Sequence, residues 1–166
     1  MKKLVSLLVA TCFALVLLST AAFALDVDLI ADGGSVSTAI DVGDLTVVHD
    51  ATSLTVTYSI DSPWVLVDTN THLYVGTTPP TKSAPGRFPY KEEGDTYIIL
   101  FSEIGANPGD TIYIAAQAEV ENPDELVWDP GTETMVPREE TAWAQGDEIR
   151  PGKNWAMYFE YVLTTP

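Results

Sequence analysis

Apolar and polar residues alternate with a period of two along most of this sequence. The stretch SLTVTYSID places Leu54, Val56 and Tyr58 on one side, and WAMYFEYVL does the same between Trp155 and Leu163. Successive side chains of a strand point to opposite faces, so the pattern predicts strands with one buried face. No window shows a sustained helical period. We therefore predict an all-β fold, a β-sandwich of jelly-roll type with about nine strands and almost no helix.

The predicted strands are separated by glycine, proline and aspartate turn signals. They cover residues 25–30, 36–42, 45–49, 54–60, 64–67, 72–75, 96–101, 112–120 and 155–163. Two long connections, residues 77–95 and 121–142, are rich in proline and are predicted to be stiff, ordered loops. Loops of this length in a compact domain are often functional.

The first 24 residues have the pattern of a secretory signal peptide. Lys2 and Lys3 precede an apolar run, and Ala22-Phe23-Ala24 is a small-x-small cleavage site. The run is too short to be a convincing membrane span. We therefore predict a signal peptide at residues 1–24, one domain at residues 25–166, an extracellular or cell-surface location, and no membrane span after cleavage.

The charge and the cysteine content restrict the possible functions of the domain. Cys12 is the only cysteine and lies in the predicted signal peptide, so the remaining domain has no disulfide. The whole chain has 24 acidic and 8 basic residues, a formal net charge of −16. Such a chain repels phosphates, which excludes nucleic acid as a partner. An acidic exported domain without disulfides is typical of calcium-binding proteins, because Ca²⁺ offsets carboxylate repulsion.

The candidate calcium ligands are oxygen-bearing residues near the predicted N-terminus and in loops, and none matches an EF-hand. They are Asp26, Asp28, Asp68, Asn70, Glu92, Asp95, Asp124 and Asp129. The alternative interpretation of the same acids is a solvated surface.

The sequence contains no motif of a known catalytic site. His49 and His72 lie in different predicted strands, and two histidines are too few for a transition-metal site. With 24 acids, a pair of carboxylates suited to sugar hydrolysis is always available and so indicates nothing. We predict structural or surface histidines and a protein that is not an enzyme.

Aromatic residues provide the other candidate binding surface. Tyr90, Trp128 and Trp143 lie in or beside the two long connections and could form a platform on which sugar rings stack. Trp155 begins the apolar face of the last predicted strand, so it is assigned to the core. Asn154 is expected to fix the turn before that strand.

Several motifs resemble those of one protein family. The chain contains DTNTHLYVG, APGRFPY, ETAWAQG and NWAMYFEY. These are similar to motifs of an uncharacterised family of exported bacterial and archaeal β domains with P-G-x-F-P-Y, E-T-A-W-A-x-G and N-W-A-x-Y-F-x-Y. The similarity covers about residues 45–162, and this chain has an extra Asn-Thr before His72. The resemblance implies an exported β domain and no particular mechanism. The matching residues are His72, Gly86, Phe88, Pro89, Tyr90, Glu140, Thr141, Ala142, Trp143, Asn154 and Trp155.

The predicted mature N-terminus, LDVDLIADGG, is a short alternating strand followed by two glycines. Such a strand can pair in its own sheet or be donated to a neighbour. Our first hypothesis is a subunit of an extracellular filament or matrix, a homopolymer joined by insertion of Leu25, Val27 and Leu29 and bridged by calcium. The alternative is a secreted carbohydrate-binding or adhesion module, with a polysaccharide as its partner.

Overall fold

The computed structural model describes residues 24–33, 38–91 and 94–164. In this part, the chain forms ten strands, a 3-10 turn at Pro85–Arg87 and a one-turn helix, α1, at Phe101–Ile104. The strands are β1 (Ala24–Ala31), β2 (Ile40–His49), β3 (Ser53–Ile60), β4 (Val65–Gly76), β5 (Tyr90–Lys91), β6 (Thr96–Leu100), β7 (Thr111–Asp129), β8 (Thr134–Ala144), β9 (Asp147–Glu148) and β10 (Met157–Val162). The predicted all-β, sandwich-like fold with almost no helix is confirmed.

The strands form two antiparallel layers that are continuous with each other. Neighbours in the sheet follow the order β5-β4-β7-β8-β1-β2-β3-β6, and β10 pairs with both β7 and β9. The layers join where Leu29–Ala31 in β1 pairs with Ala142–Ala144 in β8. Apart from Ala24, the predicted signal peptide lies outside the described residues. The helical segments of the described chain are too short to cross a bilayer.

The main core lies between the two layers and is built by the inward-facing residues of the alternating strands. Leu54, Val56 and Tyr58 of β3 are buried, as their spacing predicts. They meet Leu73 and Val75 of β4 in the same hydrophobic cluster. The period of two therefore identifies correctly which face of these strands is buried.

One predicted turn is wrong because a glycine allows the strand to continue. Gly43 does not end a strand but lies inside β2, with φ at 140°. It faces Leu29 of β1, next to a register shift between Leu29 and Ile30. A Cβ atom at position 43 would collide with the carbonyl oxygen of Ser59. Glycine is required here by a close approach within the sheet rather than by a turn.

The predicted loop at residues 121–142 is also wrong, because most of it forms a long hairpin. Strand β7 continues to Asp129, and β8 begins at Thr134. The two strands stay paired beyond a register shift between Asn122 and Leu126, with Trp128 opposite Met135. The acids and prolines of this segment are loop signals, which is why the sequence predicted a loop here.

His49 is a structural residue of the core. Its Nε2 lies 3.0 Å from the carbonyl oxygen of Thr164, and its Nδ1 lies 2.6 Å from the hydroxyl of Tyr161. Because a carbonyl oxygen only accepts, Nε2 carries a proton, and in the neutral imidazole Nδ1 accepts from the Tyr161 hydroxyl. Both ring nitrogens are thus engaged, and the side chain fixes the end of the last strand.

Candidate ligand-binding groove

The middle of β7 is buried on both faces. In a two-layer sandwich every second residue of a strand normally faces solvent, yet Ile114, Ala115 and Ala116 are all fully buried. Ile114 and Ala116 belong to the main core, whereas Ala115 faces the other side of the sheet. A second hydrophobic cluster therefore covers the outer face of this layer.

This second cluster, which we call the outer cluster, joins two loops to the sheet. Its buried members are Phe88, Ala115, Trp143 and Ala156. The rings of Phe88 and Trp143 meet edge to face, with centroids 6.1 Å apart and planes at 84°. Phe88 follows the 3-10 turn, and Ala156 precedes β10. The aromatic contacts hold both loops against β7 and β8.

A chain of polar side chains runs beside the outer cluster. His72 Nδ1 lies 2.7 Å from Gln117 Oε1, and Gln117 Nε2 donates to Glu119 Oε1 at 2.7 Å. Thr141 Oγ1 donates to both carboxylate oxygens, at 3.1 and 3.2 Å. Because the amide of Gln117 turns its nitrogen to the carboxylate, its oxygen accepts from Nδ1–H of His72. The whole side chain of Gln117 is fully buried, so the position of Glu119 is fixed.

The environment of Glu119 alters its acidity. Burial raises the pKa of the Glu119 carboxyl above its usual range, although its hydrogen bonds from Thr141 and Gln117 act in the opposite direction. Desolvation disfavours the charged form, whereas donors stabilise it. Glu119 is therefore a half-buried, well-oriented acceptor of the kind that recurs in binding sites.

The outer cluster and the chain of polar side chains both contribute to the walls of one open groove of about 260 Å³. Its walls are Ser83, Pro85, Glu119, Thr141, Trp143, Asn154, Trp155 and Ala156. Asn154 Nδ2 donates to Ser83 Oγ at 2.6 Å, so the two loops are joined across the rim. The sequence predicted that Asn154 would fix its own turn, and the structure adds this bond to the opposite loop. The groove thus combines an aromatic wall with a carboxylate, an amide and hydroxyl groups.

Trp155 separates this groove from a second depression. That depression, also about 260 Å³, is lined by Gly33, Glu148, Gly152, Lys153, Asn154 and Trp155. Trp155 is half-buried and packs against the outer cluster. The sequence assigned Trp155 to the core, and the structure places it against the outer cluster, whereas Phe159, Tyr161 and Leu163 of the same alternating face reach the main core.

Some residues of the motifs quoted above lie in or beside this groove, although they are far apart in the sequence. His72 begins the polar chain, Phe88 and Trp143 form the outer cluster, and Trp155 lines the groove. Trp143 was a predicted platform residue, and it lies here with its indole buried.

The structure does not bring the other predicted platform residues to this place. Trp128 is 60% exposed on the long hairpin. Tyr90 pairs with Leu73 and packs against the main core. The predicted platform of Tyr90, Trp128 and Trp143 is therefore spread over three sites.

The candidate calcium ligands are dispersed over the described chain. Within residues 24–33, 38–91 and 94–164, no three histidine, cysteine or acidic residues form a group that could hold a metal ion. Glu92 lies outside the described residues. The other candidates are Asp26 and Asp28 on β1, Asp68 and Asn70 on β4, Asp95 before β6, and Asp124 and Asp129 on the hairpin. Calcium binding stays a prediction.

The side chains proposed for insertion into a neighbour belong to β1, which pairs along its length with β2 and near its end with β8. Leu25 is 37% exposed, Val27 is half-buried and Leu29 is fully buried in the core of its own chain. Strand donation would require β1 to leave both partners. The filament hypothesis stays a prediction.

Sequence reasoning missed Glu119, which lines the groove, and the buried Gln117, which donates a hydrogen bond to it. The available signal was the stretch AAQAEV, where these two polar residues occupy same-face positions in an otherwise apolar strand. Polar side chains at positions covered on both faces indicate a buried network. The double cover comes from loops whose path the sequence does not reveal.

Comparison of the chain with protein-family models, with curated proteins and with solved structures finds no match.

Proposed function

We propose that this protein is an exported carbohydrate-binding module and that the groove between Trp155 and Glu119 holds a sugar ring. The observation that carries the proposal is the half-buried indole of Trp155 next to a fixed carboxylate, an amide and hydroxyls. The leader-like first residues support export.

The aromatic wall suits the apolar face of a sugar. A pyranose presents C–H groups on one face, and the negative face of an indole attracts them. Trp155 packs against the outer cluster and lies next to Gly33, so little side-chain freedom is lost on binding. Rigid aromatic side chains are effective binding anchors for this reason.

The polar groups suit the hydroxyls of the same ring. In its ionised form the Glu119 carboxylate accepts strongly from hydroxyl donors. Asn154 and Thr141 add amide and hydroxyl groups at the other walls. Because Gln117 and Thr141 already orient the carboxylate, the acceptor is preorganised before the ligand arrives.

Size and charge define the class of glycan. The groove is smaller than the roughly 300–1,000 Å³ of typical drug-sized pockets, so it fits a single ring of a longer chain. The formal net charge of −16 disfavours uronic acids and sulfated sugars. The expected ligand is a neutral polysaccharide.

Binding fits this groove better than hydrolysis. Most glycosidases use two carboxylates placed on either side of the bond that is cleaved. The described lining of the groove contains one carboxylate, Glu119. A single carboxylate fixed by donors serves as an acceptor in a binding site.

A glycan array of neutral oligosaccharides tests the proposal, with Trp155→Ala and Trp128→Ala as a matched pair. We expect the parent protein and Trp128→Ala to bind the same glycans and Trp155→Ala to lose at least about tenfold in affinity, or 1.4 kcal/mol. Trp128 is the control because it lies on the exposed hairpin. An array without hits, or binding that depends on Trp128 alone, would contradict the proposal.

A further inference from the structure

One edge of the sheet is unprotected. Strand β6 ends the sheet on one side and pairs with β3 without a register shift. In the described ranges no strand pairs with its other side. The opposite edge ends in β5, which has two residues and includes Lys91. Short strands and lysines are common protections of an edge, whereas β6 has five residues and no lysine.

The hydrogen-bonding groups of alternate β6 residues point to the open side. Tyr58 N donates to Asp95 O at 2.7 Å, and Phe101 N donates to Thr52 O at 2.9 Å. In an antiparallel ladder such bonds recur at every second residue. The odd-numbered residues of β6 therefore bond to β3, so Thr96, Ile98 and Leu100 turn their N–H and C=O groups outward.

The side chains of this edge are apolar and exposed. Ile98 is 69% exposed and Leu100 is 45% exposed. The strand TYIIL has no charged residue and no proline, and neither has its neighbour β3, SLTVTYSI. This uncharged area stands out in a chain with a formal net charge of −16. Edges that stay unpaired usually carry a charge, a proline or a bulge.

A second copy of the same chain fits this edge. Two chains of this charge repel each other over most of their surface. The electrostatic repulsion is weakest where the contacting strands carry no carboxylates. An antiparallel arrangement about a two-fold axis at Ile98 places Ile98 opposite Ile98 of the partner subunit. The same register places Thr96 opposite Leu100 of the partner subunit, and all three outward-facing residues then form hydrogen bonds.

We propose that two copies of this chain associate through β6 to form a two-fold symmetric dimer with one continuous sheet. The dimer is closed, because the same edge is used by both subunits. It is independent of the proposed glycan groove, which lies on the layer formed by β4, β7 and β8.

Sedimentation velocity from about 1 μM to about 1 mM tests the proposal. We expect a concentration-dependent dimer that Ile98→Lys weakens at least about tenfold, because two ammonium groups would meet at the axis. Val162→Lys is the matched control, since Val162 is 52% exposed on β10, away from this edge. It should dimerise like the parent. A parent protein that stays monomeric, or equal weakening by both substitutions, would overturn the proposal.

Amide hydrogen exchange on the parent protein separates edge pairing from other forms of association. The amides of Thr96, Ile98 and Leu100 should exchange more slowly as the dimer forms, because they then donate to the second copy. A dimer that leaves these amides unprotected uses another surface and would overturn the proposal. If these amides are protected only when an extended peptide is added, the edge binds a different partner, and the proposal of a dimer would be overturned.

Discussion

Gly33 leaves room for the indole of Trp155. A Cβ atom at position 33 would lie 2.5 Å from Cε3 and 2.8 Å from Cζ3 of Trp155, well inside contact distance. The glycine follows β1, so the end of the first strand lies against the six-membered ring of the tryptophan that lines the groove. The orientation of Trp155 therefore depends on a segment more than a hundred residues away in the sequence.

Gly33→Ala should displace Trp155 and weaken glycan binding several-fold. Inserting a methyl group into a packed site usually costs about 1–3 kcal/mol, and here the indole is the group that must shift. Isothermal calorimetry and tryptophan emission measure the two effects. The matched control is Gly86→Ala, because a Cβ atom there meets nothing within 4 Å. Equal behaviour of the two variants would show that Gly33 does not position Trp155.

Glu119→Gln should weaken glycan binding about tenfold at pH 7, because a hydrogen bond to a charged acceptor is worth about 1.5–3 kcal/mol. Burial raises the pKa of Glu119, so the parent protein should lose affinity as the pH falls through that raised value, whereas the variant should not. Calorimetry from pH 7 to pH 4 measures this. Glu121→Gln, on the same strand, is the control and should bind like the parent.

The same pKa shift makes a prediction about stability. A raised pKa in the folded state favours the protonated form, so the stabilisation it gives is complete below the unfolded pKa and is lost as the pH rises through the folded pKa. The parent protein should therefore gain stability relative to Glu119→Gln as the pH is lowered from 7. Thermal melts that show the opposite trend would contradict the assigned environment of Glu119.

Asp28 and Asp44 stand directly opposite each other on β1 and β2. Partial desolvation and the charges of Asp28 and Asp41 raise the pKa of Asp44. Asp44→Asn should therefore raise the melting temperature at pH 7, with a smaller gain as the pH falls through the raised pKa and the parent becomes protonated. The gain should be only about a few tenths of a kcal/mol, because solvent screens these carboxylates. Asp124→Asn, on the hairpin, controls for net charge, and an equal gain in that variant would count against a local effect.

Melts in calcium chloride and in sodium chloride of equal ionic strength test the calcium prediction. Both salts screen the acidic surface and should raise the melting temperature. Specific binding would add a further increase that follows the calcium concentration and is reversed by EGTA. Equal melting temperatures in the two salts would leave only general screening.

The sequence predicts the strands and their buried faces well, because a period of two requires no information from distant residues. Leu54 and Val56 are buried as expected. The prediction fails where tertiary contacts determine the residue type. Gly43 lies inside a strand and not in a turn, and glycine is required there because the carbonyl of Ser59 lies against it. The sequence does not predict the groove for the same reason, since the outer face of β7 at Ala115 is covered by Phe88 and Ala156, which lie in loops distant in the sequence.

The most direct test of the groove is an NMR titration of the four indole N–H signals, one from each tryptophan. Neutral tetrasaccharides such as cellotetraose, mannotetraose and chitotetraose are the ligands. We expect at least one of them to shift the Trp155 signal most and Trp143 next, because both line the groove, and to leave Trp64 and Trp128 unchanged. Movement of Trp128 alone, or four signals that stay fixed with every sugar, would contradict the proposed function.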